Sequence, residues 1–371
     1  MSTSTINVGA IEKELTSLWK QASEDETGGV VRASILNLII YVPDPKESSA
    51  VDDIVIDVTA AHPCRVIALV ADRAAESKLT AEVTSRCTLP TPTSKQVCCE
   101  QVTITASEDH LDEAPSAIVP LLISDLPVYL WWRAEPKMQD RELFGWLSDI
   151  ADRVIIDSGK FNDPEGDLAM MAKRLTEGRR GAALSDMNWA RLTAWRALLA
   201  GFYDVPQYRP LLKQIQRVTI EYAPPTDRPE AIATRALLLG GWLASRLGWQ
   251  LNPAATVREA QSARFEFTAN GRTLQLEFRH TERAVEPGHL ALVTINNAGD
   301  CDTACSFSVR RSADGTRIET GVTLDEEKRP KRVLSYEGLS ESALIARELE
   351  ILGPDRVYEE TVKAAGGMIS A

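Results

Sequence analysis

Apolar positions recur along this chain with two different periods, and the change between them divides it. Residues 10–20 place Ile11, Leu15, Leu18 and Trp19 at i, i+4, i+7 and i+8, the stripe of an amphipathic helix. Residues 35–42 are a continuous apolar run with Asn37 inside it, closed by Pro43-Asp44-Pro45, as expected of a strand buried on both faces. Val51, Ile54, Val55 and Val58 give a second helical stripe. His62-Pro63 stops it, because the residue before proline is pushed out of the helical region. Residues 65–70 read as another buried strand. Strand, helix and strand with short joints make a βαβ unit, with a parallel pair and a right-handed crossover.

The alternation continues. Residues 79–89 and 96–106 alternate apolar and polar and read as strands, and a helix from about residue 112 leads to a strand at 128–132. Pro127 is tolerated before that strand because an edge of a strand needs no donor there. Leu143, Trp146, Leu147 and Ile150 are in phase on a helix over 142–150. Residues 152–157 form a short strand, and 164–177 a helix. Residues 35–180 therefore predict a doubly wound, mainly parallel α/β sheet. Residues 189–199 read as a helix packing back on it, with a linker at 206–210. Residues 214–222 suit a strand, and 229–247 a helix whose Gly240-Gly241 pair suggests close packing. After Pro253 the period shortens. Short strands near 264–268, 273–279, 290–296, 304–310 and 317–324 are separated by Asn270-Gly271, Pro287-Gly288 and Asp314-Gly315, turn signals at hairpin spacing, so an antiparallel sheet is expected, followed by two helices. The expected division is a Rossmann-like α/β domain over 1–205 and an α+β domain over 206–371.

Composition narrows the function. The net charge of −12 argues against nucleic acid and against an anionic membrane surface, both of which attract clustered Lys and Arg. No apolar run reaches the roughly 20 residues needed to span a bilayer. Met1-Ser-Thr-Ser-Thr-Ile6 has no basic start followed by an apolar core, so a cytoplasmic protein is expected. Six cysteines in 371 residues are no disulfide framework.

The usual catalytic parts are missing. The chain has no G-x-G-x-x-G after a strand, no G-x-x-x-x-G-K-[ST] and no G-x-S-x-G, and its four histidines are not at metal-ligand spacing. No cofactor or metal is therefore expected. Asp157-Ser158-Gly159-Lys160 follows a buried strand, and Ser158 and Lys160 could hold an anion; a plain polar βα turn fits as well. Trp131, Trp132 and Arg133 close the strand at 128–132. Adjacent strand residues point to opposite faces, so either both indoles are covered or one is exposed with Arg133 as a partner anchor. Cys98-Cys99 reads as one core and one surface thiol. Cys301 and Cys305, four apart in a turn, read either as a reversible redox pair or as turn residues.

Ser124-Asp-Leu-Pro-Val-Tyr-Leu-Trp-Trp-Arg133, Ala151-Asp-Arg-Val-Ile-Ile-Asp-Ser158 and His62-Pro-Cys-Arg-Val-Ile67 together resemble the glucose-6-phosphate dehydrogenase assembly family, OpcA, over most of the chain. The resemblance implies a non-catalytic allosteric activator that binds glucose-6-phosphate dehydrogenase and raises its activity in the oxidative pentose phosphate pathway. In cyanobacteria it also implies thiol control, with thioredoxin as a further partner. Trp131, Trp132 and Arg133 are then expected at or beneath the partner surface. The rival is an enzyme or sensor binding a phosphorylated metabolite at the carboxyl end of the α/β sheet.

Overall fold

The computed structural model describes residues 7–24, 30–75, 79–88, 96–136, 143–178, 181–297, 305–324, 327–328, 332–336 and 338–371. The chain begins with α1 (Val8–Glu24), β1 (Val30–Arg32), β2 (Leu36–Val42), α2 (Ser48–Ala61), β3 (Cys64–Ala71), β4 (Leu79–Thr88) and β5 (Gln96–Ala106). It continues through α3 (Ala114–Ile118), β6 (Val128–Trp132), α4 (Leu143–Ile150), β7 (Arg153–Ile156), α5 (Pro164–Thr176), β8 (Ala183–Asp186), α6 (Met187–Arg191) and α7 (Thr193–Gly201). Then come β9 (Ile215–Tyr222), α8 (Thr234–Leu247), β10 (Gln250–Glu259), β11 (Ser262–Ala269), β12 (Arg272–His280), β13 (Leu290–Asn297), β14 (Cys305–Arg311) and β15 (Arg317–Leu324). It ends with β16 (Glu327–Lys328), β17 (Arg332–Ser335), α9 (Glu341–Leu349) and α10 (Arg356–Ile369).

Two compact units share these elements. The first holds the described residues up to 157, with 181–186 and 340–354; the second holds the rest. This differs from a single cut at residue 205. Residues 158–178 and 187–205 group with the second unit, and α9 with the first. A contiguous boundary read from composition cannot register a chain that leaves a unit and returns to it.

The first unit is an eight-stranded sheet in the order β1-β5-β3-β2-β6-β7-β8, with β4 paired to β5. Every pair is parallel except the β4–β5 hairpin. From β2 the chain winds outward through β3 to β5, then resumes at β6 on the other side of β2. The topological switch point therefore lies between β2 and β6. β2, β3, β6 and β7 are buried along their whole length, as their uninterrupted apolar runs require.

The second unit is a nine-stranded sheet in the order β10-β11-β12-β9-β13-β14-β15-β16, with β17 on β15. It is not wholly antiparallel, because β9, which precedes the hairpins in sequence, lies parallel to β12. Gly240 and Gly241 make the close approach that their place inside a helix suggests. A Cβ on Gly240 would come 2.6 Å from the Phe278 ring, and one on Gly241 would come 2.4 Å from the Thr361 carbonyl. α8 is thereby seated between β12 and α10.

Several elements depart from the sequence pattern. Residues 206–214 are a 3-10 segment rather than a linker, and α8 starts at Thr234 rather than near 229. The helix expected from residue 112 is a 3-10 turn followed by the five residues of α3. β10 carries Pro253 inside it, where the register with β11 shifts between Asn252 and Val257. A bulge leaves the ladder unpaired, which is where proline is tolerated.

Candidate functional site

Two buried side chains, Asn37 and Arg65, and the exposed Asp152 fix the entry to β6. Asn37 donates from Nδ2 to the carbonyls of Ile123 (3.0 Å) and Leu126 (3.3 Å) and accepts the Ile123 amide at Oδ1 (2.8 Å). Arg65 bonds the Leu121 carbonyl (2.7 Å) and pairs with buried Glu100 (2.6 Å). The arginine of His62-Pro-Cys-Arg65 is thus a structural tie inside β3. Asp152 accepts the Val128 amide (2.8 Å). A segment with Asp125 at φ 64 is held from three sides, and β6 enters the sheet in one register.

The carboxyl ends of β2 and β6 flank the switch point, where open α/β sheets take their ligands. Here side chains fill that crevice. Tyr41 and Trp132 are register partners and stack with centroids 4.0 Å apart and planes 13° from parallel. Phe144 of α4 meets the Trp132 ring edge-on at 5.0 Å. Arg133 lies 4.7 Å over the Trp131 ring and bonds Glu47 with both Nη2 (2.8 Å) and Nε (3.3 Å). Its Nη1 stands 3.2 Å from Glu341 of α9, within ion-pair distance but without hydrogen-bond alignment. The turn after β2 has no glycine. Asp44 caps its own turn by accepting the Lys46 amide, and Glu47 stands at the N-cap of α2. A carboxylate therefore occupies the helix start where a dinucleotide fold receives phosphate.

Trp131 is 1% and Trp132 6% exposed, so both indoles are interior, one on each face of the sheet. Among the described residues the exposed indole is Trp146, at 62%. Helix α4 buries Leu143, Phe144, Leu147 and Ser148, and that face points Trp146 outward although it shares a sequence phase with Leu143 and Leu147.

The second unit contains a cleft of about 220 Å³. Lys160, Arg228, Asp227, Thr234, Arg235 and Gly288 are among the residues lining it. Lys160 ends the 3-10 turn Ser158–Lys160 before α5. Ser158 is fully buried and accepts a hydrogen bond from Asn188 Nδ2 (3.2 Å), and it does not line the cleft. Asn188 Oδ1 in turn accepts from Arg235 Nε (2.8 Å). Arg228 is oriented by Asp163 (3.0 Å), whose carboxyl is held below its usual range by bonds from Arg228 and the Gly166 amide, against the opposing effect of burial. No side chain caps the start of α8.

His289, next to Gly288, has its pKa pushed down to about 3 by burial and by the charges of Arg235, Arg311 and Arg191. A neutral ring accepts at Nδ1 from Arg311 Nη1 (2.6 Å), so the neighbouring Glu286 carboxylate at 3.0 Å is not an ion-pair partner. Arg228 and Arg235 had no local motif to mark them. The one available signal was Arg235 itself, a cation in a first helical turn, where the helix dipole disfavours it.

Cys98 is not a lone core thiol; it is joined to Cys87 across the β4–β5 hairpin, where the two are direct register partners. Cys87 is exposed and Cys98 buried. Cys99 is buried as well, so the Cys98-Cys99 pair holds no surface thiol, and Cys64 lies beside Cys99 on β3; burial pushes the Cys64 and Cys99 thiols up. Cys305 is buried at the start of β14, and Cys301 lies outside the described residues. Among the described residues no group of His, Cys, Asp and Glu could hold a metal ion, and no helix is long and apolar enough to cross a membrane.

Two family models match this chain. Residues 55–173 match the glucose-6-phosphate dehydrogenase subunit N-terminal domain, and residues 182–362 match the C-terminal domain of the same subunit. The OxPP cycle protein OpcA of Nostoc punctiforme is 32% identical over 82% of this chain and 65% of its own length. The OpcA of Synechocystis is 29% identical over 87% of this chain and 66% of its own. The chain thus matches just under two thirds of these relatives. Among solved structures, the WlbA dehydrogenase of Thermus thermophilus aligns over 91% of this chain and 95% of its own, at 12% identity and a TM-score of 0.44. At that score the likeness bears on neither ligand nor activity.

Proposed function

We propose a partner-binding role for this chain, which belongs to the OpcA glucose-6-phosphate dehydrogenase assembly family. Its partner is the dehydrogenase, and its effect is to favour the dehydrogenase conformation with higher substrate affinity. That requires only tighter binding to the active state: a tenfold preference is about 1.4 kcal/mol. The observation that carries a non-catalytic reading is the filled switch point. The Tyr41–Trp132 stack and the Arg133–Glu47 pair occupy the place where a dinucleotide enzyme keeps an open glycine turn.

Trp146 is the proposed anchor. Large exposed aromatics dominate interface energetics. Trp131, Trp132 and Arg133 act from beneath: Trp132 packs on Phe144, and Phe144 sits on the helix that presents Trp146. Thiol control enters through Cys87–Cys98, whose exposed Cys87 is open to a dithiol reductant of the thioredoxin kind, with Cys301 and Cys305 as a second pair.

Co-elution of the chain with the dehydrogenase from the same source tests this. Trp146→Ala should keep the melting temperature and weaken the complex at least tenfold. Equal affinity would remove Trp146 from the interface. Absence of any complex with the unaltered chain would remove the role itself.

A further inference from the structure

The turn that leads into β6 is held more firmly than a connection needs. Asn37, Arg65 and Asp152 bond it from three sides, and Asp125 takes a left-handed backbone within it. A non-glycine residue kept in that region by its surroundings marks a segment whose shape is used. A second held segment lies at the same edge of the sheet. Tyr129 and Arg153 are register partners at the starts of β6 and β7. Tyr129 Oη donates to the Ile351 carbonyl (3.3 Å), and Arg153 Nη2 donates to the Gly353 carbonyl. Leu352 stands between these two anchored carbonyls and is 91% exposed. Ile35, just before β2, is 55% exposed while its amide is fixed on the Pro63 carbonyl (2.8 Å).

β2, β6 and β7 are adjacent and parallel, so their amino ends form one edge. Two strand spacings, about 10 Å, separate β2 from β7. Ile35 and Leu352 flank the turn, where Leu122, Ile123 and Leu126 are half-buried. Single exposed apolar residues need no explanation, but these project from segments fixed at their neighbours. Side chains so placed lose little freedom when a partner binds. Helix α4 runs to this edge, and Trp146 lies one turn before its last residue, so the edge continues the surface on which Trp146 stands.

The charge around the edge selects the partner. Stretches 119–127, 143–152 and 350–354 contain no Lys or Arg, and their exposed carboxylates are Asp125, Asp149, Asp152 and Glu350. Arg153, next in sequence, is buried and bonds Ser185 and Gly353. A second copy of the chain would set these carboxylates against one another. A surface carrying apolar side chains among Lys and Arg complements them.

We propose, resting on the partner-binding reading, that the amino edge of the first sheet, from Ile35 through the turn to Leu352, docks an apolar, cation-bearing face of the dehydrogenase. The contact thereby extends from Trp146 to the end of the sheet opposite the filled crevice.

The test is the affinity of the full chain for the dehydrogenase from the same source, by calorimetric titration at low and at high sodium chloride. Leu352→Ser and Ile35→Ser should each weaken the complex about tenfold at both salt concentrations, while Leu352→Met and Val257→Ser, the latter on β10 of the second unit, should not. The complex of the unaltered chain should weaken as salt rises. Asp125→Asn keeps a residue that tolerates the left-handed backbone, and Asp152→Asn keeps an acceptor for the Val128 amide. The double variant should bind more weakly at low salt and lose most of the salt dependence. Equal urea midpoints establish that the variants fold. Unchanged affinity in Leu352→Ser and Ile35→Ser, with the unaltered chain still bound, would overturn the docking edge and leave partner binding standing. No complex with the unaltered chain would overturn both. Full salt dependence in the double variant would overturn the cation-bearing face. Dimerisation of the chain alone, lost in Leu352→Ser, would give the edge to a second copy and overturn the assignment to the dehydrogenase.

Discussion

The switch point of the first unit and the cleft of the second are both places where a chain of this kind could receive a ligand, and they are built in opposite ways. At the switch point, polar and aromatic side chains satisfy one another: Tyr41 stacks on Trp132, and Arg133 spends its donors on Glu47. In the cleft, Lys160, Arg228 and Arg235 come together from three segments, Arg228 paired with Asp163 and Arg235 bonded to Asn188, and no side chain caps the helix that starts there. The difference teaches that a site is recognised by where its charges point. Arg133 is as deeply placed as a binding arginine, but its partners are internal. Arg235 is held at Nε by Asn188, and the cleft begins at its own residue.

The comparison can be broken by mutation, and the largest effect is expected at the filled crevice. Trp132→Ala removes an indole packed on Tyr41 and Phe144 and should cost about 3–5 kcal/mol in urea unfolding. A loss under 1 kcal/mol would mean that the crevice is looser than described. Arg133→Leu leaves Glu47 and Glu341 without their cation. Both carboxylates keep some solvent, so the expected loss is smaller, about 1.5–3 kcal/mol.

A pH effect belongs to the cleft side. His289 is held down to about 3 in the fold, against an ordinary 6.5. Between those values the unfolded chain binds a proton that the folded chain refuses, so stability is full above the ordinary value and is lost as pH falls toward 3. One such group contributes a slope of at most about 1.4 kcal/mol per pH unit. His289→Asn should flatten the unfolding free energy across that window, and an unchanged slope would show that the ring protonates freely in the fold. The smallest effect is expected at Lys160. Lys160→Gln should shift stability by no more than about 0.5 kcal/mol, because Lys160 is an exposed side chain.

The parallel sheet was legible in the sequence, and the reason is visible in β2, β3, β6 and β7. Strands buried on both faces need continuous apolar runs, and such runs are read without knowing their neighbours. β8 and β10 were not legible. β8 has four residues, and β10 contains a proline that only a bulge makes acceptable. The Cys87–Cys98 pair follows only once the register of the β4–β5 hairpin is known. Lys160 was found from its turn, whereas Arg228 and Arg235 join it through the fold alone. The tryptophans show the limit most plainly. Trp131 and Trp132 stood out as a pair and proved interior, while Trp146, hidden in a helical phase, is the one exposed among the described residues.

The most direct test of the account is the apparent KM of glucose-6-phosphate dehydrogenase for glucose 6-phosphate, measured with and without this chain, under oxidant and then under reductant. The account predicts a lower KM when the chain is added, and a different size of effect once Cys87–Cys98 is reduced. An identical KM with and without the chain in both conditions would contradict it.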